Sequence, residues 1–220
     1  MQYWIVNPQD ITTERFDAFF YCPELHNLYS NLQKRENKKE VEIKRGEDFN
    51  LVPKLTKQDK TKMIEEQNIY RYVEIGDVTT YGLITHYIMG TFDELPTRGE
   101  YQVKKGDILL ALNNSSRGTV VRVPDEFDGM ICTSGFLVIR PKNEEEGLLL
   151  WYCLRSDICK KQIYYLAQTA SQPELKIESW NKYFRIPFPV NTERAKAIER
   201  TKKAFDYINN LSDINNEKFQ

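Results

Sequence analysis

The residues that most invite a chemical reading are Asn7-Pro8-Gln9-Asp10, two Glu-x-Lys triplets, two histidines and four cysteines. An amino-group methyltransferase needs Asn/Asp-Pro-Pro-aromatic, whose ring stacks on the target base. The second proline and the aromatic are missing here, and no Gly-rich cofactor loop accompanies the stretch. Glu42-Ile43-Lys44 and Glu174-Leu175-Lys176 have the form used where carboxylates and a lysine converge on a divalent ion. In a chain with 32 acidic and 31 basic residues such triplets arise by chance, and no Asp stands at a suitable distance upstream on a strand. His26 and His86 stand alone. Cys22, Cys132, Cys153 and Cys159 include no Cys-x-x-Cys pair, so a zinc site is not expected. The GxxxxGK[ST] phosphate loop and the nucleophile elbow are also missing. The expectation is a non-catalytic chain with no cofactor and no metal.

Composition narrows the class. The 220 residues suit one domain with an appended element, or two small domains. Hydrophobic residues at 40% and charged residues at 29% are enough for a core beneath a solvated surface. The 13 Tyr and 11 Phe suit a β-rich core and can stack on flat ligands. The formal net charge of −1 means that no global basic field announces nucleic acid, so any such binding must come from local patches. Free buried thiols fit a reducing compartment, and MQYWIVNPQD lacks the basic-then-apolar order of a signal peptide, so a cytoplasmic location is expected. The longest apolar run is far short of a membrane span.

These residues are carried by elements of recognisable period. Residues 1–12 read as extended, and Thr12 or Thr13 can cap a helix. Phe16, Phe19, Phe20, Leu25, Leu28 and Leu32 recur at helical spacing, with Pro23 predicting two short helices or a kink within a helical arm over 13–35. Residues 33–68 are polar, with a short strand near Val41–Ile43. A β-rich core is predicted over about 69–141. It contains IYRYVEIGDV, two runs around the turn Lys104-Lys105-Gly106-Asp107, the strand GTVVRV, and one long buried strand MICTSGFLVIRP. Residues 144–169 return to helix, Leu175, Ile177 and Trp180 mark another short one, and helices therefore fill 144–183. Pro187 and Pro189 keep FRIPFP extended. From Thr192 the pattern is helical, and Ile198, Phe205 and Ile208 form a stripe thin enough to need a partner helix. The fold class expected is α+β: a compact curled sheet or barrel with flanking helices and a long C-terminal helix of coiled-coil type.

Several segments, in this order, resemble the specificity subunits of type I restriction–modification systems. RFDAFFYCPE (Arg15–Glu24) resembles the opening of their recognition domains. YRYVEIGDV (Tyr70–Val78) followed by Gly82 resembles their strand ending in an Ile-Gly-Asp turn. Glu94–Arg98 with VKKGDILLA resembles their Gly-Asp-Ile-Leu hairpin. TSGFLVIRP resembles the strand that closes the sheet, and LLWYCLRSD the helix carrying Leu-x-Ser. IPFP (Ile186–Pro189) and the charged helix after it resemble the exit into a coiled-coil spacer. The resemblance implies a target-recognition domain over 1–189 and a spacer or dimerisation helix over 190–220, the latter using Ile198, Phe205, Ile208 and Leu211. It implies a scaffold that reads double-stranded DNA while methyltransferase and restriction subunits supply the chemistry. Whole subunits of that family carry two recognition domains and two long helices, and this chain holds one of each. A natural half-subunit that pairs with itself, a truncated product and an expressed fragment all fit.

Base reading needs hydrogen-bonding side chains on loops held by a rigid sheet, with cations nearby for phosphates. The first candidate loop is Asn113, Asn114, Ser115, Ser116 and Arg117, which offers amides for adenine and a guanidinium for guanine or phosphate. The second is Thr79, Thr80 and Tyr81. The third is Gln168, Thr169, Ser171 and Gln172. Lys54, Lys57, Lys60, Lys62 and Arg98 are candidate phosphate contacts, although a lysine-rich run also serves as a plain solvated face. Two other classes remain open: a protein-interaction adaptor, favoured by the near-neutral charge, and a recognition domain cut from a fused methyltransferase-nuclease.

Overall fold

The structure is a computed structural model that describes residues 18–113, 118–167 and 173–217, with side chains as far as Ile208. Its centre is a four-stranded sheet in the order β2 (Asn50–Leu51), β9 (Phe136–Arg140), β6 (Ile108–Ala111), β7 (Val120–Arg122). All neighbours in it run antiparallel. Strands β6 and β9 are apolar at nearly every position because both faces are covered. Ile108, Leu110, Leu137 and Ile139 point into one cluster with Leu149, Leu150, Ile163, Trp180 and Phe184 from the helices. Leu109, Ala111, Phe136 and Val138 point into another with Val73, Tyr101, Val103 and Cys132.

That second cluster is shared with a second four-stranded sheet, in the order β4 (Ile88–Thr91), β3 (Ile69–Val73), β8 (Ile131–Thr133), β5 (Gly99–Gln102). Here β3 and β8 run parallel. Its far side carries α2 (Lys57–Glu66) through Met63, Tyr72, Leu95 and Ile131. The layers are therefore helices, sheet, sheet and α2. Of the two expected forms, a curled sheet or a barrel, the strands do not take the barrel; they form two packed sheets.

Two expectations about strands change for this reason. The runs on either side of Lys104–Asp107 are not hairpin partners. β5 pairs with β8, β6 pairs with β7 and β9, and the turn carries the chain from one sheet to the other. Gly106, at φ +83°, allows that turn. Asp107 closes it by accepting the Lys104 N–H at 2.8 Å, and the Arg140 guanidinium at 2.9 and 2.7 Å holds it in place. The long strand predicted over MICTSGFLVIRP is two strands, β8 and β9, in different sheets, separated at Ser134-Gly135. Alternation looked continuous because both sheets face one shared core.

The helices follow local signals. Pro23 does not kink a helix; it starts one. α1 (Pro23–Asn37) has proline in its first turn, where the missing N–H costs nothing, and the Cys22 Sγ accepts from the Leu25 N–H at 3.4 Å. The described part of the predicted helical arm therefore begins at Pro23; its start lies outside the described residues. The stretch 144–169 divides into α3 (Glu144–Leu154) and α4 (Asp157–Leu166), because Ser156 caps the second. α5 (Ile177–Tyr183) places the buried Trp180, whose Nε1–H donates to the Gly46 carbonyl at 3.0 Å. A Cβ on Gly46 would lie 2.1 Å from the Trp180 carbonyl oxygen. β1 (Val41–Arg45) and β10 (Arg185–Pro189) pair antiparallel, and this separate two-stranded sheet accommodates Pro187 and Pro189.

α6 (Asn191–Glu217) is the long C-terminal helix. The stripe that seemed to need a partner helix is already engaged: Ile198, Phe205 and Ile208 pack on the helical side of the chain's own core, alongside the buried Ala197 and Thr201. The Phe205 ring centre lies 4.6 Å from that of Trp151 of α3 and 5.2 Å from the Arg122 guanidinium. The side chain of Leu211 lies outside the described residues.

Two outcomes test this packing. Phe205→Ala lowers the unfolding free energy by about 2 kcal/mol, less than for a fully buried ring, and exposes α6 to limited proteolysis. Unchanged stability and an unchanged digest would mean that α6 is not seated on α3. All four cysteines are buried. Burial pushes the Cys159 thiol up to about 12 and raises Cys22, Cys132 and Cys153 as well. Iodoacetamide at neutral pH should leave all four unmodified in the native chain and label them in urea; rapid native labelling of any one contradicts the packing described.

Candidate nucleic-acid interface

The candidate loops are tied to one end of the two sheets. The backbone leaving β6 is held on both sides: Leu112 donates to the Gly135 carbonyl at 3.0 Å and accepts from the Leu175 N–H at 2.9 Å. Asn113 forms an isolated antiparallel bridge with Glu174. The first candidate loop begins at Asn113 and the third ends just before Pro173, so the structure brings the flanks of these two loops together. Asn114, Ser115, Ser116 and Arg117, and likewise Gln168, Thr169, Ser171 and Gln172, lie outside the described residues.

The second loop reaches the same end by another route. Thr79 accepts the Gly82 N–H at 2.9 Å, and its hydroxyl accepts the Leu83 N–H at 3.1 Å. The Thr79 side chain thus closes the turn, whereas Thr80 and Tyr81 are exposed, Tyr81 by 71%. Gly82 sits at φ +84°, and a Cβ there would lie 2.4 Å from the Val120 carbonyl oxygen. That same carbonyl accepts Trp151 Nε1–H at 3.1 Å. The Arg155 guanidinium, 4.4 Å from the Trp151 ring centre, donates to the Thr80 carbonyl at 3.3 Å. The turn is therefore fixed against the first residue of β7, which follows the first candidate loop.

At the Asn113–Glu174 bridge lies a cleft of about 310 Å³, lined among others by Glu74, Arg98, Asn113, Ser134 and Glu174. The buried Tyr72 hydroxyl donates to Glu74 Oε1 at 2.9 Å. Burial first, and then that bond, push the hydroxyl above its ordinary value, so it stays a donor at neutral pH. Arg98 is exposed, its carbonyl accepts the Ser134 N–H at 3.2 Å, and its guanidinium makes no ion pair with a described residue.

The lysine candidates divide. Lys54 and Lys60 both approach Glu100, at 4.0 and 3.1 Å, and Lys62 pairs with Glu66 at 3.6 Å. Two carboxylates thus offset part of the charge of three lysines. Lys57, exposed in the first turn of α2, has no ion pair among the described residues. The two Glu-x-Lys triplets are intramolecular ion pairs, Glu42–Lys44 and Glu174–Lys176, on separate elements. Among the described residues no group of three or more His, Cys, Asp or Glu is placed to hold a metal ion, and no helix is long and apolar enough to cross a membrane.

Sequence reasoning missed Glu74, Glu174, Arg155 and Lys160 as members of this end. Lys160 of α4 lies against Gly118, whose added Cβ would meet Lys160 Cε at 2.5 Å. Nothing local marks any of the four: each sits in an ordinary charged or helical context, and only the meeting of distant segments makes it a neighbour of the loops. The one available signal was Glu174, named for its spacing to Lys176 and assigned to chance.

No curated protein matches this chain. Among solved structures it is similar to a chain of a type I R-M system studied for its complex assembly and conformational transition. That likeness has 23% identity and a TM-score of 0.62, and it covers 81% of this chain and 45% of the other. It is also similar to the HsdS subunit from Thermoanaerobacter tengcongensis, at 22% identity and a TM-score of 0.60, with the same coverage of 81% and 45%. The chain thus spans less than half the length of both solved chains. The profile of the type I restriction modification DNA specificity domain matches residues 36–218. With most of its length matched, the chain belongs to the type I restriction modification DNA specificity domain family.

Proposed function

We propose that this chain recognises double-stranded DNA by sequence as a non-catalytic specificity component, one half of a bipartite reader, of a type I restriction–modification complex. In this reading methyltransferase and restriction subunits carry out methylation and cleavage, and the chain selects where. The observation that carries the reading is the convergence of the candidate loops. The flanks of Asn113–Arg117 and of Gln168–Gln172 meet at the Asn113–Glu174 bridge, and Thr79–Tyr81 is pinned beside them at Val120. Loops held on two packed sheets suit base reading, which demands precise placement of a few polar side chains. Arg98, Arg155 and Lys160 at this end supply local positive charge to a chain whose net charge is −1.

In this reading the chain, which spans 45% of the length of its solved relatives, works together with a second unit of the same kind. A two-fold pair would read a symmetric, bipartite site. Because Ile198, Phe205 and Ile208 are taken up by α3, such a pair would draw on the part of α6 beyond Ile208, including Leu211.

Titration of duplex DNA across a salt series tests the recognition. The expected result is a log–log slope of about −0.9 per phosphate contacted, and a loss of roughly 1–3 kcal/mol for Arg117→Ala if its guanidinium meets a base. No binding at low salt favours the protein-interaction adaptor and overturns the proposal. Light scattering at two concentrations tests the pairing: a mass that rises towards twice that of the chain supports it, and a strict monomer at both concentrations rejects self-pairing.

A further inference from the structure

The cleft at the strand ends holds a combination that phosphate binding does not explain. Two carboxylates, Glu74 and Glu174, line it beside the Arg98 guanidinium. Glu74 accepts one bond, from the Tyr72 hydroxyl to Oε1, and Glu174 accepts one, from Lys176 Nζ at 3.0 Å to Oε2. Each carboxylate keeps an oxygen with no described partner, and Arg98 keeps its donors. Glu74, held by the Tyr72 hydroxyl, and Arg98 line the same cleft without pairing with each other.

A carboxylate facing DNA is repelled by the phosphates and is compatible with binding only where it meets a donor. In the major groove the donors are exocyclic amino groups. A carboxylate has acceptors only, so it suits cytosine N4, whereas adenine sets an acceptor N7 beside its amino group and is better matched by an amide. A guanidinium is complementary to guanine O6 and N7. The donor edge of cytosine and the acceptor edge of guanine lie side by side in one C·G pair, which is the pattern that a carboxylate and a guanidinium lining one cleft complement.

Resting on the reading of this chain as a DNA-recognition unit, we propose that the cleft is a base-pair reading site for C·G, with Glu74 accepting from cytosine N4 and Arg98 donating to guanine. Glu174, tied to Lys176, also lines the cleft. Arg98 thereby moves from a candidate phosphate contact to a specificity-determining residue, and Glu74 joins it.

The test is selection of binding sites from a randomised duplex pool by the full chain, its Arg98→Ala variant and its Glu74→Gln variant, with thermal melts to show that all three fold. The wild-type chain is expected to enrich a motif containing a C·G pair. Arg98→Ala should lose the preference for guanine at that position by roughly ten- to a hundredfold and leave the other positions unchanged. Glu74→Gln should shift cytosine towards adenine at the same position, because a carboxamide pairs with adenine N6 and N7. If both variants select the wild-type motif, or Arg98→Ala weakens all sequences uniformly, the cleft reads no base and this inference falls while DNA recognition stands. If the wild-type chain enriches nothing, DNA recognition falls and the inference with it.

Discussion

The structure depends on the burial of β6 and β9 on both faces. A strand with one wet face alternates polar and apolar residues; Ile108-Leu109-Leu110-Ala111 cannot, because helices cover one side and the second sheet the other. Each apolar side chain buried there removes surface from water worth on the order of 1.5–3 kcal/mol, and the pairing between the two strands satisfies the backbone groups that go with it. Once this central pair is in place, the helices and the second sheet have fixed faces on which to pack. The layer order follows.

That arrangement creates the candidate site. Because β6, β7 and β9 share a sheet and β3 and β8 share the next one, their connections emerge near one another: 74–82 after β3, 112–113 after β6, 134–135 between β8 and β9, and 173–175 before α5. The contacts that hold them are backbone hydrogen bonds and tight glycine approaches, which resist rearrangement better than exposed ion pairs do. Rigid flanks of this kind let a few loop side chains keep the geometry that base reading requires.

Charge is arranged locally rather than globally. Lysines that look free along the sequence are partly offset, as Lys54 and Lys60 are by the one Glu100 carboxylate that they share, whereas Arg98 at the cleft is left without an ion pair among the described residues. The buried Asp107 accepts two bonds from Arg140 and one backbone N–H. It serves the turn between sheets and takes no part in the candidate site. A near-neutral chain can therefore present cationic donors at one end, aided in the proposed complex by larger partners.

Local pattern was enough for most elements. Helical spacing and prolines that exclude helix placed α5, β10 and α6 near their observed bounds, because these signals act within a few residues, whereas the start of α1 at Pro23 and the break between α3 and α4 came from the structure. The ordered set of short motifs pointed to the family that the profile over 36–218 then showed. Tertiary structure decided which strands pair. A run buried on both faces reads the same whether it continues or crosses to another sheet, so the division at Ser134-Gly135 carried no periodic signal, and the turn at Lys104–Asp107, legible as a turn, did not say that it crosses between sheets. It also decided the fate of the α6 stripe, since a thin apolar seam fits a partner helix or the chain's own α3 equally well. The membership of the cleft was settled in the same way: Glu74, Arg98, Asn113 and Glu174 are far apart along the chain, and only the packing of two sheets places them around one space.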